Sequence, residues 1–342
     1  MMNLVRTLCP PAMVDSTGLP EVADIETAAK RIAPHAVETP LFESNLLNDR
    51  LGGRVFLKLE SLQRTGSFKF RGAYNRIALI PEEFRSCGVV AFSSGNHAQG
   101  VAAAASLLGL RATIVMPADA PRAKIQGTAA LGADIVYYDR VADDREQIAC
   151  RIVEETGATL IRPFDDAGVV AGQGTIGLEI SRQLTGRCEH LDAVLVPCSG
   201  GGVVTGIALA LSHLSPGTDV LSVEPERFDG MSRSLQEGRR IAAPGGTLSI
   251  ADALMAPCPG DVTFRLAKKY MRLGLCVADD ELVTAMSYAA GQLKLIVEPG
   301  GAAGLAAILS GRYDVRGRTV AVVLTGGNCD LETVVDCVAK RQ

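Results

Sequence analysis

The chain has no tryptophan, and its aromatic residues amount to 4%. So few rings cannot supply the stacking platforms on which single-stranded nucleic acid is held. Positive charge is also short: 34 lysines and arginines face 38 aspartates and glutamates, a net charge of −4. With no basic run either, a nucleic-acid partner is excluded. The most apolar stretch, residues 101–110, is far short of the ~20 residues a membrane-spanning helix needs. Residues 1–14 lack the apolar centre of a secretory signal. Nine cysteines are present, but the number is odd and no CxxC occurs. Neither a zinc ribbon nor a disulfide scaffold is expected, and reduced thiols in a cytoplasmic protein are the plain reading. There are only four histidines. HExxH, GxSxG and a GK[ST] after a glycine run are all absent, which excludes their zinc, hydrolase and nucleotide chemistries.

What is present is a globular composition: 342 residues, 47% hydrophobic and 21% charged, enough for two domains. Strand and helix patterns alternate. Strands are predicted at 54–60, 88–92, 111–117, 133–139, 159–164, 191–198, 219–226 and 318–325. Helices are predicted at 97–109, 122–132, 143–157, 174–184, 201–214, 279–295 and 299–311. The strands are rich in Val, Ile, Leu and Ala without strict alternation, as in parallel sheets buried on both faces. The expected fold class is α/β, with two open twisted sheets carrying helices on both faces. Residues 88–164 hold enough elements for a small domain. Residues 21–87 and 165–342 would form a large cofactor-binding domain, after a flexible N-terminus over 1–20.

Ligands of open parallel sheets bind beyond the C-terminal ends of the strands. Three such ends carry unusual sequences: FSSGNHAQG (92–100), PCSGGGVVTG (197–206) and VLTGGNCD (323–330). In the second, Ser199, Gly200, Gly201 and Gly202 open a helix. Glycine lets backbone N–H groups approach an anion, and the helix N-terminus favours it, so this stretch suits a phosphate. A tight β–α turn is the plain alternative, although three glycines in a row exceed what a turn needs. A dinucleotide fingerprint fits poorly, because its third glycine falls on Thr205. Ser93 and Ser94 stand where either a helix cap or a substrate contact would sit. His97 either shapes its turn or serves acid–base chemistry.

The remaining oddity is Lys69, set between Phe68 and Phe70. A lysine among aromatics is expected to have a depressed pKa. A reactive amine, a phosphate cradle about 130 residues later and a hydroxyl–Gly–Gly–Asn strand end fit one phosphorylated cofactor that bonds to an amine. That cofactor is pyridoxal 5′-phosphate.

Four motifs in order then carry a family resemblance. SFKFRGA (67–73), SSGNHAQG (93–100), SGGGV (199–203) and LTGGN (324–328), with AGQGTIGLEI (171–180), resemble the fold-type II pyridoxal-phosphate enzymes. Among them the chain is most similar to threonine/serine dehydratases and serine racemases, from about residue 25 to 330. The resemblance implies that Lys69 binds the cofactor aldehyde and moves protons at Cα, with Phe68 flanking the ring. Asn96 would meet the ring 3-hydroxyl. Ser199, Gly200, Gly201, Gly202 and Val203 would hold the phosphate, Thr325 would face the ring nitrogen, and Glu298 would also be cofactor-binding. Ser93, Ser94, Gly95 and His97 would bind substrate, with Ser94 also catalytic.

The implied activity is β-elimination of L-threonine or L-serine to a 2-oxo acid and ammonia. The alternatives on this scaffold are serine racemisation and the dehydration of hydroxyaspartate or phenylserine. RPFDD (162–166) looks more like the dehydratases. Relatives often hold a divalent or monovalent cation, here expected at Glu224 and the Phe228 carbonyl. Gly230 falls where relatives often carry a further acid. Without a C-terminal regulatory domain, feedback by isoleucine is not expected. The resemblance also implies a homodimer or tetramer acting on a small hydroxyamino acid.

Overall fold

The short runs of Val, Ile, Leu and Ala become ten strands in a computed structural model, which describes residues 18–120, 122–188 and 190–339. They are β1 (Leu41–Glu43), β2 (Arg54–Leu59), β3 (Val89–Phe92), β4 (Ala112–Pro117) and β5 (Asp134–Tyr138). They continue as β6 (Thr159–Leu160), β7 (Ala193–Pro197), β8 (Asp219–Pro225), β9 (Gly274–Val277) and β10 (Thr319–Leu324). Six form one sheet in the order β1-β2-β10-β7-β8-β9, and four form a second in the order β5-β4-β3-β6. Only β1 pairs antiparallel. Every other pairing is parallel.

Both faces of the larger sheet are buried, as the strand composition requires. Val55, Leu57, Leu195 and Val322 pack into one cluster. Their neighbours Phe56, Val194, Val196, Ala321 and Val323 pack into the opposite one. Among the described residues, no helix is long and apolar enough to cross a membrane. Eight cysteines are free. Cys9, and most of the stretch expected to be flexible over 1–20, lie outside the described residues.

Several elements differ from expectation. Strand β6 ends at Leu160, because Pro163 cannot donate to a ladder; Ile161 makes one more bond, to the Val90 carbonyl. The helix expected at 174–184 starts seven residues earlier, at Ala167, because Asp166 caps it through the Val169 N–H. The helix expected at 279–295 is α-helical over Asp279–Tyr288 and then widens into a π turn over Ala289–Leu293. Strands β1 and β9 and helices such as Val22–Ile32, Lys69–Ala78 and Asp261–Tyr270 were not foreseen.

Helix Lys69–Ala78 sits on a buried polar framework. The Arg71 guanidinium donates to both carboxylate oxygens of Glu60 (2.7 and 2.8 Å) and of Glu179 (2.6 and 2.9 Å). It also reaches Thr175 and the Val37 carbonyl. Lys58 donates to Glu179, Gln183 and the Thr39 carbonyl. Arg71, Lys58 and Glu60 are fully buried. Burial opposes the charge on Arg71, but the two carboxylates outweigh it and raise its pKa. Further along, Asn75 donates to the Gly168 carbonyl and Arg76 to Asp166. These bonds hold the helix against helix Ala167–Leu184. The two backbones approach so closely that a Cβ on Gly172 would lie 2.6 Å from Gly72 Cα. Phe70, Ala73, Tyr74 and Ile77 of the same helix pack into the cluster under the four-stranded sheet.

Removing one member of such a network strands the others without compensation. Arg71→Met is expected to cost about 3–5 kcal/mol, read as a lower urea midpoint; an unchanged midpoint would contradict the role given to this network.

Candidate active site

Four strand ends converge on one cleft of about 190 Å³. The first follows β2. Ser67 bridges Gly326, and the Phe68 N–H donates to the Thr325 carbonyl (3.1 Å), so Lys69 starts its helix pinned beside the end of β10. Its ammonium donates to the Pro163 carbonyl (2.8 Å) and lies 5.1 Å from the centre of the Phe68 ring. Lys69 keeps some exposure as a residue, but its amine sits at the closed end. Burial lowers its pKa to about 8, against the opposing pull of Glu298.

The second end follows β3. Ser93 Oγ accepts the Gly95 N–H, and helix Asn96–Leu107 begins there. Asn96 donates to Glu298 Oε1 (2.5 Å) and accepts from Asn328 (2.8 Å). His97 Nε2 contacts the Ile161 carbonyl at 2.9 Å. A carbonyl can only accept, so Nε2 carries the proton. Burial, then the nearby Lys69 charge, lower the His97 pKa to about 3. The ring is neutral at physiological pH, which favours the turn-shaping role over acid–base work.

The third end follows β7. Gly201 has φ +102°, and a Cβ there would lie 2.5 Å from Met231 Cε. A Cβ on Gly200 would strike the Phe164 ring at 2.3 Å. Only glycine leaves this cradle open. The Gly200 carbonyl accepts from Thr263 (2.6 Å), and Ser199 Oγ accepts from the Ala256 N–H. The N–H groups of Gly202 and Val203 open helix Gly202–Leu214 and have no partner inside it.

The fourth end follows β10, where Thr325 is buried. The Gly326 carbonyl accepts from the Glu298 N–H. Burial raises the Glu298 pKa to about 7, and its Oε2 is buried with no partner.

Phe68, Lys69, Ser93, Ser94, Gly95, Asn96, His97, Ser199, Gly200, Gly201, Gly202, Val203, Glu298 and Thr325 all line this cleft. Glu224 and Phe228 do not. Glu224 accepts from the Met231 N–H, the Ser232 N–H and the Ser232 hydroxyl, all within 2.8 Å, and so serves helix Gly230–Glu237. Asp229 turns both oxygens to Arg233. The expected cation site at Glu224 and Phe228 therefore lies apart from the cleft, where Glu224 already accepts three hydrogen bonds from the next helix. Among the described residues, no cluster of three or more His, Cys, Asp or Glu could hold a metal. The cleft adds Lys124 and Asp252, which sequence reading missed. They are 128 residues apart, and no motif connects them.

Residues 32–326 match the family described as pyridoxal-phosphate dependent enzyme. The chain belongs to this family. It is 43% identical to an L-threonine ammonia-lyase of Thermotoga maritima, over 91% of this chain and 76% of the relative. It is 45% identical to an L-threo-3-hydroxyaspartate ammonia-lyase of a Pseudomonas species, over 90% and 95%. Its fold superposes on maize serine racemase with a TM-score of 0.88 at 36% identity, covering 95% of this chain and 98% of that one. The expected fold class is therefore correct. The site fits the family's cofactor: an enclosed amine, an open glycine cradle and an unpartnered buried carboxyl oxygen face one space.

Glu298 makes the site's pH dependence testable. Folded, it keeps a proton up to about pH 7; unfolded, it releases it near the ordinary 4.5. Between those values the folded state binds more protons, so its stability falls as pH rises. His97, lowered from 6.5 to about 3, adds the opposite slope below pH 6.5, so the comparison is with Glu298→Gln: across this window the denaturant midpoint of the cofactor-free protein should fall relative to that of the variant, and equal slopes would contradict the assignment.

Proposed function

We propose that the protein is a pyridoxal-phosphate dependent ammonia-lyase that converts L-threonine or L-serine to 2-oxobutanoate or pyruvate and ammonia. The observation that carries this reading is the enclosed Lys69 amine facing the glycine cradle, with the Thr325 hydroxyl at the neighbouring strand end. Bound there, pyridoxal phosphate supplies an electron sink for the pair left when the Cα–H bond breaks.

Lys69 would hold the cofactor's aldehyde carbon and, once displaced by the substrate amine, take the Cα proton. Only the neutral amine can do either, and a pKa near 8 makes that form accessible. The N–H groups of Ser199 to Val203 would bind the phosphate, and Asn96 the ring hydroxyl. Thr325 offers the ring nitrogen a hydroxyl and no fixed negative charge. That hydroxyl would leave the ring nitrogen unprotonated and the sink weaker, which suits elimination, where the β-hydroxyl leaves as the Cα–H bond breaks. The β-hydroxyl departs with one proton as water, and a second water then converts the enamine product to the 2-oxo acid and ammonia.

Ser94 in the same cleft, with the likeness to a serine racemase, supports racemisation as a second reading. The hydroxyaspartate ammonia-lyase relative supports 3-hydroxyaspartate as a further substrate. The eight free thiols among the described residues support a cytoplasmic location. Leu331 and Val335, exposed four residues apart on one helix, suit a homo-oligomer, dimer or tetramer.

Lys69→Ala is expected to abolish ammonia and 2-oxo acid release from L-threonine and L-serine and to remove the absorbance of a lysine-linked cofactor. Retention of either sinks the proposal.

A further inference from the structure

The glycine loop carries one hydroxyl, that of Ser199. Its Oγ accepts the Ala256 N–H at 3.1 Å. Ala256 ends a stretch that walls the cleft: Asp252, Ala253, Leu254, Met255 and Ala256 all line it. The wall begins in the short 3-10 turn Asp252–Leu254 and then runs irregularly to Gly260. Pro257 and Pro259 give this run no N–H with which to fasten itself. Leu254 is buried, but Ala253 is exposed, and Met255 and Ala256 are half-buried. The glycine loop grips the stretch at three points. The Gly200 carbonyl accepts from the Gly260 N–H (3.2 Å) and from the Thr263 hydroxyl (2.6 Å), and Ser199 Oγ accepts from Ala256. The first two use the loop's backbone and need no loop side chain. The third needs the hydroxyl, and it is the one that reaches the wall itself.

A hydroxyl that accepts one bond still has a proton to give. Ser199 is half-buried and lines the same cleft, where a phosphate would present accepting oxygens. We propose that Ser199 is a positioning residue that relays phosphate binding to the cleft wall: its hydroxyl gives its proton to a phosphate oxygen and takes the Ala256 N–H. The inference rests on the cleft taking pyridoxal phosphate, and not on which amino acid then reacts. An anion beside the hydroxyl fixes the direction of its O–H and so aims the oxygen's lone pairs at the wall. A hydroxyl that donates also accepts more strongly. Without that acceptor the half-buried hydroxyl rotates, and the Ala256 bond opens readily. The wall is therefore finished after the cofactor binds and before the substrate arrives. A cofactor analogue lacking the phosphate would reach Lys69 and leave the wall loose.

Amide hydrogen exchange at Ala256 and Gly260 tests this. The cofactor-free enzyme is compared alone and with inorganic phosphate, pyridoxal or pyridoxal phosphate. In the wild type, inorganic phosphate and pyridoxal phosphate should slow exchange at Ala256 by about tenfold, and pyridoxal should not. In Ser199→Ala the slowing at Ala256 should vanish, while Gly260, held by the loop's backbone, should behave as in the wild type. The variant should also bind pyridoxal phosphate about 10–100-fold more weakly, the worth of a hydrogen bond to a charged group, and pyridoxal equally well. Three results would overturn the proposal: exchange at Ala256 that ignores phosphate in the wild type, equal slowing by pyridoxal, or a phosphate effect at Ala256 that survives in Ser199→Ala. A brace indifferent to phosphate would give the first. The first two need no variant, so they decide whether or not Ser199→Ala folds. The absorbance of lysine-linked cofactor is recorded in the same samples. Its absence from the wild type would sink the cofactor reading, and the inorganic phosphate arm would still decide the role of Ser199.

Discussion

Arg71 places a guanidinium where water cannot reach it, and everything at the catalytic end of the molecule depends on how that charge is answered. Glu60 comes from the turn after β2, Glu179 from the long helix Ala167–Leu184, and Arg71 lies two residues after Lys69. One cation therefore fixes the relation between a strand of the large sheet, the helix that begins with Lys69 and the helix crossing it. On the proposed reading Lys69 meets a small reactive carbon and cannot tolerate a loose support, since misplacement by about 1 Å can cost about a hundredfold in rate. The glycine crossing at Gly72 and Gly172 and the ties at Asn75 and Arg76 extend the same lock along the helix.

Within the cleft, burial drives the titratable groups toward neutrality. Lys69 moves down to about 8, His97 down to about 3 and Glu298 up to about 7. A pKa of about 8 makes the neutral form of the Lys69 amine accessible near physiological pH without a separate base. The cleft's anion cradle is built from backbone N–H groups and has no cationic side chain in the glycine loop. Lys124 and Asp252 are the exception, an ion pair kept at the mouth.

The strand ends could be read in the chain because they combine a buried run with residues a plain turn does not need: SGGGV, TGGN and SSGN. The eight strands read from composition are all present, and β6 is shorter only because Pro163 intervenes. Strands β1 and β9 lie at the edges of the sheet and are three and four residues long, too short for a pattern. Helix Lys69–Ala78 was hidden for the opposite reason. Its buried positions include Arg71, Asn75 and Arg76, so the polar residues that normally mark the wet face are inside. At Glu224 the sequence shows a carboxylate near a turn, and only the fold reveals that N–H groups of the next helix donate to it. Lys124 and Asp252 meet only through tertiary structure.

The central claim is that Lys69, and no other lysine, carries the cofactor. Borohydride adds hydride to a carbon–nitrogen double bond joining cofactor and protein and makes the link permanent. Digestion and mass spectrometry of the reduced, cofactor-loaded enzyme then locate it. The account predicts a phosphopyridoxyl group on the peptide containing Lys69 alone; label on Lys58 or Lys124, or on no lysine, would contradict it.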